Sequence, residues 1–251
     1  MVIYITPMAQ NLVSFFSGAG GMDIGFHMAG FNTLACYEFD ENCCETLRKN
    51  LPNTKVFLAD VSLVKGEDVL KEIGLKRGEL DLVVGGPPCQ SFSLAGNRKG
   101  MFDKRGKLVE HYIRIIKELA PKVFLMENVK GMLSWNGGQA VRFVEEAFEE
   151  PIKLNGKTVS YTVSRQCLDA ADFGVAQHRQ RLFFIGTRLT KTPIAFPTQT
   201  HFSKHDNPLI TPHHVGVRKA LEGLPAPDAP SELAMRISKT IKLRHKKLGY
   251  E

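Results

Sequence analysis

Residues 85–93 (GGPPCQSFS) hold one cysteine behind two prolines and ahead of a polar run. They directly follow residues 80–84, an apolar stretch that predicts a strand buried on both faces. Because Pro87 and Pro88 fix the incoming backbone, we expect the sulfur of Cys89 to point into a ligand crevice at the end of that strand. A lone cysteine is more often an inert buried side chain, but its setting here favours a nucleophilic thiol.

A glycine-rich turn and two acids indicate a nucleoside site. FFSGAGGMDIGF, residues 15–26, places Gly18, Gly20 and Gly21 between a predicted strand and a predicted helix, where glycine permits close approach of the backbone to a ligand. Glu38 and Asp60 end the next two predicted strands, where a carboxylate can accept hydrogen bonds from ribose. A glycine turn alone serves simple helix packing as often as binding. The acids favour a nucleoside, and NAD and S-adenosylmethionine both remain open.

The fifth predicted strand ends in MENV, which carries Glu127 and Asn128. Both side chains are expected near the same crevice, where a carboxyl can act as an acid. A glutamate standing alone at such a position is more often a helix cap or a surface carboxylate.

The segment GVAQHRQRLFFIG, residues 174–186, alternates Gln177, Arg179 and Arg181 before an apolar run. A period of two predicts that the three side chains share one face of a strand. A pair of edge-strand charges is the ordinary alternative for the two arginines. His178 falls on the opposite face and is interpreted as structural.

The elements that must position these groups alternate between strand and helix. Apolar runs at 12–16, 33–37, 56–58, 80–84 and 123–126 alternate with helical patterns at 22–29, 41–50, 67–73 and 108–119, and the pair 139–149 and 159–166 follows. We expect a doubly wound, mostly parallel α/β sheet with helices on both faces. Residues 85–106 predict an active-site loop, and beyond residue 188 only 217–224 has a helical pattern.

Composition excludes several classes of protein. The 251 residues are 43% hydrophobic and 24% charged, as in ordinary globular domains and unlike disordered or membrane chains. No apolar run approaches a bilayer span and the start lacks a signal peptide, so no membrane association and a cytoplasmic location are expected. Five cysteines without a C-x-x-C pair indicate free thiols in a reducing compartment. The net charge of +7 favours a polyanionic partner, although only weakly.

Together these motifs resemble the DNA cytosine-5 methyltransferase family in order and spacing over about residues 11 to 188. The Pro-Cys-Gln loop and the Gln-x-Arg-x-Arg run are specific in combination, whereas the glycine turn is shared with many nucleotide-binding folds. The resemblance implies a Rossmann-like, S-adenosylmethionine-dependent catalytic domain at residues 1–188. The residues that carry it are Gly18, Gly20, Gly21, Glu38, Asp60, Pro88, Cys89, Gln90, Glu127, Asn128, Val129, Gln177, Arg179 and Arg181.

The resemblance also implies roles for these residues. Cys89 would add to C6 of a cytosine flipped out of double-stranded DNA, while protonated Glu127 and Arg181 stabilise the charge that develops on the ring. Asn128 and Arg179 would support the loop and the acid. Further catalytic and DNA-contacting residues implied in the loop are Gln90, Ser91, Arg98 and Lys99. The implied cofactor-binding residues are Phe16, Gly18, Gly20, Gly21, Glu38, Phe39, Asp60, Val61 and Pro88.

Residues 189–251 depart from the family pattern. Complete single-chain members continue into a target-recognition region and return with an Asn- and Gly-containing segment that closes the cofactor pocket, and no such segment occurs here. We interpret 189–251 as an extension toward a missing recognition region, and expect an α-type subunit whose partner polypeptide supplies recognition and closure. A truncated chain or a degenerate gene would have the same sequence.

Other functions remain as alternatives. A transfer-RNA cytosine-5 methyltransferase would keep the same nucleophile, and a non-catalytic DNA-binding paralogue would have no need of Cys89, Glu127 and Arg181 together. An NAD-dependent oxidoreductase gives no role to the Pro-Cys-Gln loop. No metal is expected, because scattered loop histidines are usually solvated; those in question are His201, His205, His213 and His214.

Overall fold

The computed structural model describes residues 10–88, 107–205 and 209–223. Over these residues the chain forms strands and helices close to the predicted positions. In chain order they are β1 (Asn11–Phe15), α1 (Gly21–Met28), β2 (Asn32–Glu38), α2 (Glu41–Asn50), β3 (Lys55–Leu58), α3 (Gly66–Ile73), β4 (Leu82–Gly85), α4 (Lys107–Leu119), β5 (Val123–Val129), α5 (Gln139–Glu149), β6 (Ile152–Leu154), β7 (Lys157–Val159), β8 (Thr162–Asp169), β9 (Gln180–Thr187) and α6 (Val217–Ala220).

Seven strands form one sheet in the order β3-β2-β1-β4-β5-β9-β8. The first five strands along the chain pair in parallel, β9 pairs with β5 in antiparallel orientation, and β8 pairs with β9 in antiparallel orientation and so runs in the same direction as β5. The predicted doubly wound, mostly parallel sheet is therefore confirmed. The carboxyl ends of the parallel strands meet at one edge, where ligands of such folds bind.

Helices cover the sheet on both faces, as predicted. Beneath α3, α4 and α5 lies the larger core, in which Ile116 of α4 and Phe124 of β5 are fully buried. On the opposite face Phe26 of α1 packs in a cluster with Leu12, and Leu47 of α2 packs in a cluster with buried strand residues. Each large apolar side chain buried in this way stabilises the fold by about 1.5–3 kcal/mol.

Residues 152–159 form a small hairpin that the hydrophobic pattern did not predict. The predicted strand at 159–166 is in fact two strands, because β7 ends at Val159 and β8 begins at Thr162. The hairpin turns at Asn155 and Gly156, with φ of 50° and 76°. Two consecutive positive φ angles are typical of an Asn-Gly turn of type I′, so this dipeptide is the feature of the sequence that indicates the hairpin.

The described part of the extension after residue 188 contains little regular structure. Phe202 and His213 form an isolated bridge, and α6 is shorter than the predicted helix at 217–224. The longest described helix, α4, has 13 residues. A helix that crosses a bilayer needs about 20 apolar residues, and no described helix reaches this length.

Candidate active site

A cavity of about 430 Å³ opens at the carboxyl ends of β1 to β4. This volume lies in the usual range for a small-molecule site. Most of the predicted cofactor-binding residues line it, but Gly20 and Gly21 do not. The lining residues are Phe16, Gly18, Tyr37, Glu38, Phe39, Ala59, Asp60, Val61, Gly86, Pro88 and Leu108.

The turn after β1 brings the backbone to the cavity in a restricted conformation. Phe16 has a φ of 54°, which is rare for a residue with a side chain, and its amide donates to the carbonyl of Tyr37 (3.0 Å). Gly18 also has a φ of 54°. Gly20 (φ 87°) caps α1, and a Cβ there would lie 2.7 Å from Leu47 Cδ2. Gly20 therefore fixes the packing of α1 and does not line the cavity.

Glu38, at the end of β2, holds this turn in place. Its Oε2 accepts from the amide of Gly18 (2.7 Å), and its Oε1 accepts from the amides of Phe39 (2.8 Å) and Asp40 (3.0 Å). Both carboxylate oxygens are therefore engaged by backbone, and Oε2, with a single donor, keeps a second lone pair for a ligand. The carboxylate joins the ends of β1 and β2 at the cavity wall.

Beyond β3 the cavity wall combines an acid with apolar surface. Hydrogen bonds from Ser62 hold the pKa of Asp60 below its usual value, and the backbone amide of Ser62 lies 2.9 Å from Asp60 Oδ1. Val61 is buried, while the ring of Phe39 is 75% exposed at the mouth of the cavity. Such a wall can take both the hydroxyl groups and the flat apolar part of a nucleoside.

On the other side of Gly86, β5 and β9 bring a carboxylate and a guanidinium together. Arg181 Nε lies 2.8 Å from Glu127 Oε1, and both side chains are about three-quarters buried. The second oxygen of Glu127 lies 3.3 Å from the position of a Cβ on Gly86. The carboxyl of β5 therefore faces the start of the segment that leads to the cysteine.

Asn128 connects β5 to that same segment. Its Nδ2 donates to the carbonyl of Pro87 (3.3 Å), and its Oδ1 accepts from the amide of Val129 (2.8 Å). Pro88 is the last described residue before the loop. The other predicted residues of the loop lie outside the described residues: Cys89, Gln90, Ser91, Arg98 and Lys99.

The predicted alternation of Gln177, Arg179 and Arg181 on one strand face is wrong. Strand β9 begins at Gln180, so that only Arg181 belongs to it, and Gln177 and Arg179 are exposed in the preceding connection. The ladder with β8 starts at the pair formed by Asp169 and Gln180, which leaves residues 170–179 as a loop. A period of two in sequence does not show where pairing begins.

Two features of this region were not predicted. Tyr37 lines the cavity and stacks between Phe15 (4.9 Å) and Phe57 (4.8 Å), and its place directly before Glu38 was the available signal. Asp23, in α1, is fully buried, and its Oδ1 accepts from the thiol of Cys36 at 3.4 Å. Its Oδ2 has no partner among the described residues, and burial raises the pKa of this carboxyl.

A larger and more open groove, of about 1250 Å³, runs between α3, α4 and α5, away from these groups. Some of its charged side chains form ion pairs, as in Arg114 with Glu118 and Lys117 with Glu150, and Arg77 donates to backbone carbonyl groups. Within the described ranges, no cluster of three or more His, Cys, Asp or Glu side chains has metal-site geometry.

Comparison with known proteins identifies the family. The model of the family C-5 cytosine-specific DNA methylase matches residues 10–247. The chain is 47% identical to Type II methyltransferase M.AquIA of Picosynechococcus sp., over 97% of this chain and 100% of that protein. It is 44% identical to Type II methyltransferase M.FnuDI of Fusobacterium nucleatum, over 71% of this chain and 47% of that protein.

Solved structures agree with these matches. A crystal structure of a candidate DNA modification methyltransferase encoded within an E. coli prophage superposes with a TM-score of 0.67 at 28% identity, over 87% of this chain and 56% of that chain. The chain thus spans the whole of one relative and about half of the others named here. The chain belongs to the C-5 cytosine-specific DNA methylases, a family of S-adenosylmethionine-dependent enzymes, as its motifs predicted.

Proposed function

We propose that this chain is the catalytic part of an enzyme that transfers a methyl group from S-adenosylmethionine to C5 of cytosine at a specific sequence in double-stranded DNA. The observation that carries the proposal is the ion pair of Glu127 with Arg181, which lies beside Gly86 and the backbone of Pro87. The ion pair therefore lies next to the nucleoside-sized cavity, beside the backbone segment that leads in sequence to Cys89.

S-adenosylmethionine fits the cavity, and supplies the electrophilic methyl group when bound. Glu38 and Asp60 would accept hydrogen bonds from its ribose and adenine groups, and Phe39 and Val61 would flank the adenine. The backbone at Phe16, Gly18 and Pro88 would complete the contacts, while Gly20 and Gly21 act through the shape of the turn and of α1. The strained φ of Phe16 supports a binding role, because such strain gathers at ligand sites.

The chemistry begins with Cys89, because C5 of cytosine is too weak a nucleophile to attack a methyl group unaided. The thiolate adds to C6 of the ring, which is flipped out of the duplex. Glu127, through a hydrogen bond at N3 of the bound base, and Arg181, at O2, stabilise the negative charge that this addition places on the ring. C5 then takes the methyl group, which leaves the donor as its neutral thioether. A base removes the C5 proton as the bond from C6 to Cys89 breaks and releases the thiolate, and the aromatic ring is restored.

The remaining predicted residues have supporting parts in this proposal. Asn128 positions the nucleophile, since it holds the carbonyl of Pro87 two residues before Cys89. Gln90, Ser91, Arg98 and Lys99 belong to the loop that would close over the flipped base and contact DNA. Arg179 lies exposed beside β9, where it can contact the DNA or the closed loop.

We further propose that residues 1–188 are the catalytic domain and that 189–251 lead toward a recognition region on a second polypeptide. Two lengths support this: the chain spans all of M.AquIA and 47% of M.FnuDI. About half of the longer relative M.FnuDI has no counterpart in the match. Added in trans, that half would supply target recognition and close the cofactor cavity.

The proposal is tested by methyl transfer from labelled S-adenosylmethionine to duplex DNA and to tRNA, with the completing polypeptide present. Duplex DNA should be the substrate, and Cys89→Ser should reduce transfer by about 10³-fold or more, while Cys43→Ser, on α2, should have no effect. DNA with 5-fluorocytosine at the target should trap the chain covalently through Cys89, because fluorine cannot leave as a proton does. Transfer to tRNA alone, or full activity in Cys89→Ser, would overturn the proposal.

A further inference from the structure

Asp169, the last residue of β8, forms hydrogen bonds with both ends of the connection that leads to β9. Its Oδ1 accepts from the amides of Ala171 (3.1 Å) and Arg179 (2.9 Å), and its Oδ2 lies 3.2 Å from His178 Nδ1. The side chain is 14% exposed. Arg179 is thereby fixed at its own amide, two residues before Arg181.

Asp172, further along the same connection, contacts the extension that follows residue 188. Its carbonyl accepts from the amides of Thr200 and His201, both at 2.9 Å, and its Oδ1 lies 3.0 Å from His214 Nε2. The ring of His201 rests on Gly174, where a Cβ would lie 2.7 Å from the ring. Residues 200–205 and 209–214 are therefore seated on the connection through several independent contacts.

The two sets of contacts meet at a pair of imidazoles. The rings of His178 and His214 stand edge to face, with centroids 5.3 Å apart. His178 is paired with Asp169 and His214 with Asp172. The short 3₁₀ helix Ala170–Phe173 begins directly after Asp169 and contains Asp172, so it joins the residue that holds Arg179 to the residue that holds the extension. A shift of the extension at His214 must therefore move the connection or break these contacts.

We propose that Asp172 is a positioning residue that holds the extension in a fixed place relative to Arg181. The inference rests on the proposed function, since the polypeptide after residue 214 would lead to the segment that reads DNA. A flipped cytosine has to reach Arg181 and Glu127 within about an ångström, and a misplacement of that size can cost about 10²-fold in rate. A recognition region on a second polypeptide that docks against a mobile extension would not meet this requirement.

The first test needs no methyl transfer, and measures backbone hydrogen exchange in the chain itself. In Asp172→Ala the amide of His214, which donates to the carbonyl of Phe202, should exchange about tenfold faster, because this part of the extension loses the hydrogen bond between the His214 ring and a charged group. His214→Phe keeps the ring beside His178 but removes the donor, and should have the same effect. Asp172→Asn should behave as the unmodified chain, because its amide oxygen still accepts from His214. The matched control is Asp68→Ala, on the exposed face of α3.

The second test uses the chain with its completing polypeptide. Asp172→Ala should reduce kcat/KM for duplex DNA by about tenfold or more and leave the Kd of S-adenosylmethionine and the Tm within error. An equal loss of cofactor affinity would show general damage and overturn the positioning role, as would unchanged exchange at His214. If the unmodified enzyme transfers no methyl group to DNA, the proposed function fails, while the exchange measurement still decides whether Asp172 holds the extension.

Discussion

The carboxylate of Glu38 provides the sharpest quantitative test of the cofactor site. It accepts three backbone N–H groups, from Gly18, Phe39 and Asp40, and so fixes the turn that lines the cavity. Glutamine at this position is nearly the same size, but has one acceptor oxygen in place of two, and its NH₂ group turns toward an N–H donor. At least one of the three hydrogen bonds is therefore lost in Glu38→Gln.

The loss of one hydrogen bond to a charged group costs about 1.5–3 kcal/mol. At 1.4 kcal/mol for each factor of ten, we expect the Kd of S-adenosylmethionine to rise at least about tenfold. Isothermal titration of the enzyme with S-adenosylmethionine measures this directly. The control is Glu41→Gln, which removes only an exposed ion pair with Arg48, worth about 0–1 kcal/mol.

A Kd for Glu38→Gln within twofold of the unmodified value would refute the reasoning. It would mean that the turn keeps its shape without the carboxylate, and that Glu38 makes no contact with the ligand. An equal rise in Kd in Glu41→Gln would instead assign the effect to the net charge of the region.

Three further predictions concern packing, charge and catalysis. Gly85→Ala would place a Cβ 2.5 Å from the ring of Tyr112, so the free energy of unfolding in urea should fall by about 1–3 kcal/mol, and an unchanged value would contradict the described packing. Because burial raises the pKa of Asp23, the folded chain binds this proton more tightly than the unfolded chain, and stability falls as the pH rises above about 4. Asp23→Asn should therefore raise the Tm at pH 7 but not at pH 3.5. Arg181→Met leaves the carboxylate of Glu127 unpaired and should lower kcat about 10²-fold, with no change in the Kd of S-adenosylmethionine by titration.

Most of the fold could be predicted because each parallel strand leaves a local signal. A buried strand is a continuous apolar run, and the helix that follows begins and ends at recognisable residues: Asp40 caps α2 and accepts from the amide of Cys43, and Gly74 ends α3 in the left-handed conformation. The short hairpin at 152–159 has strands of only three residues, too few to show a period.

The site was predictable where it depends on strand ends, and less so where it depends on long-range pairing. Glu38 ends β2, Asp60 follows β3 and Glu127 lies near the end of β5, so topology alone places them at one edge. The buried contact of Asp23 with Cys36 joins a helix to a strand, and no spacing in the sequence encodes that meeting. The start of β9 is set by its pairing with β8, which sequence alternation cannot reveal.

The position of Arg181 follows from the one place where the sheet departs from the parallel pattern. In a parallel strand, the first residues lie at the edge opposite the ligand site. Since β9 runs antiparallel to β5, its first residues meet the last residues of β5, and Arg181 pairs with Val129 at the carboxyl edge. A parallel β9 would have placed the guanidinium at the far edge of the sheet, several strand residues of about 3.3 Å each away from Glu127. The ion pair that carries the proposed chemistry therefore depends on the reversal of this strand, and the connection anchored by Asp169 is what makes the reversal.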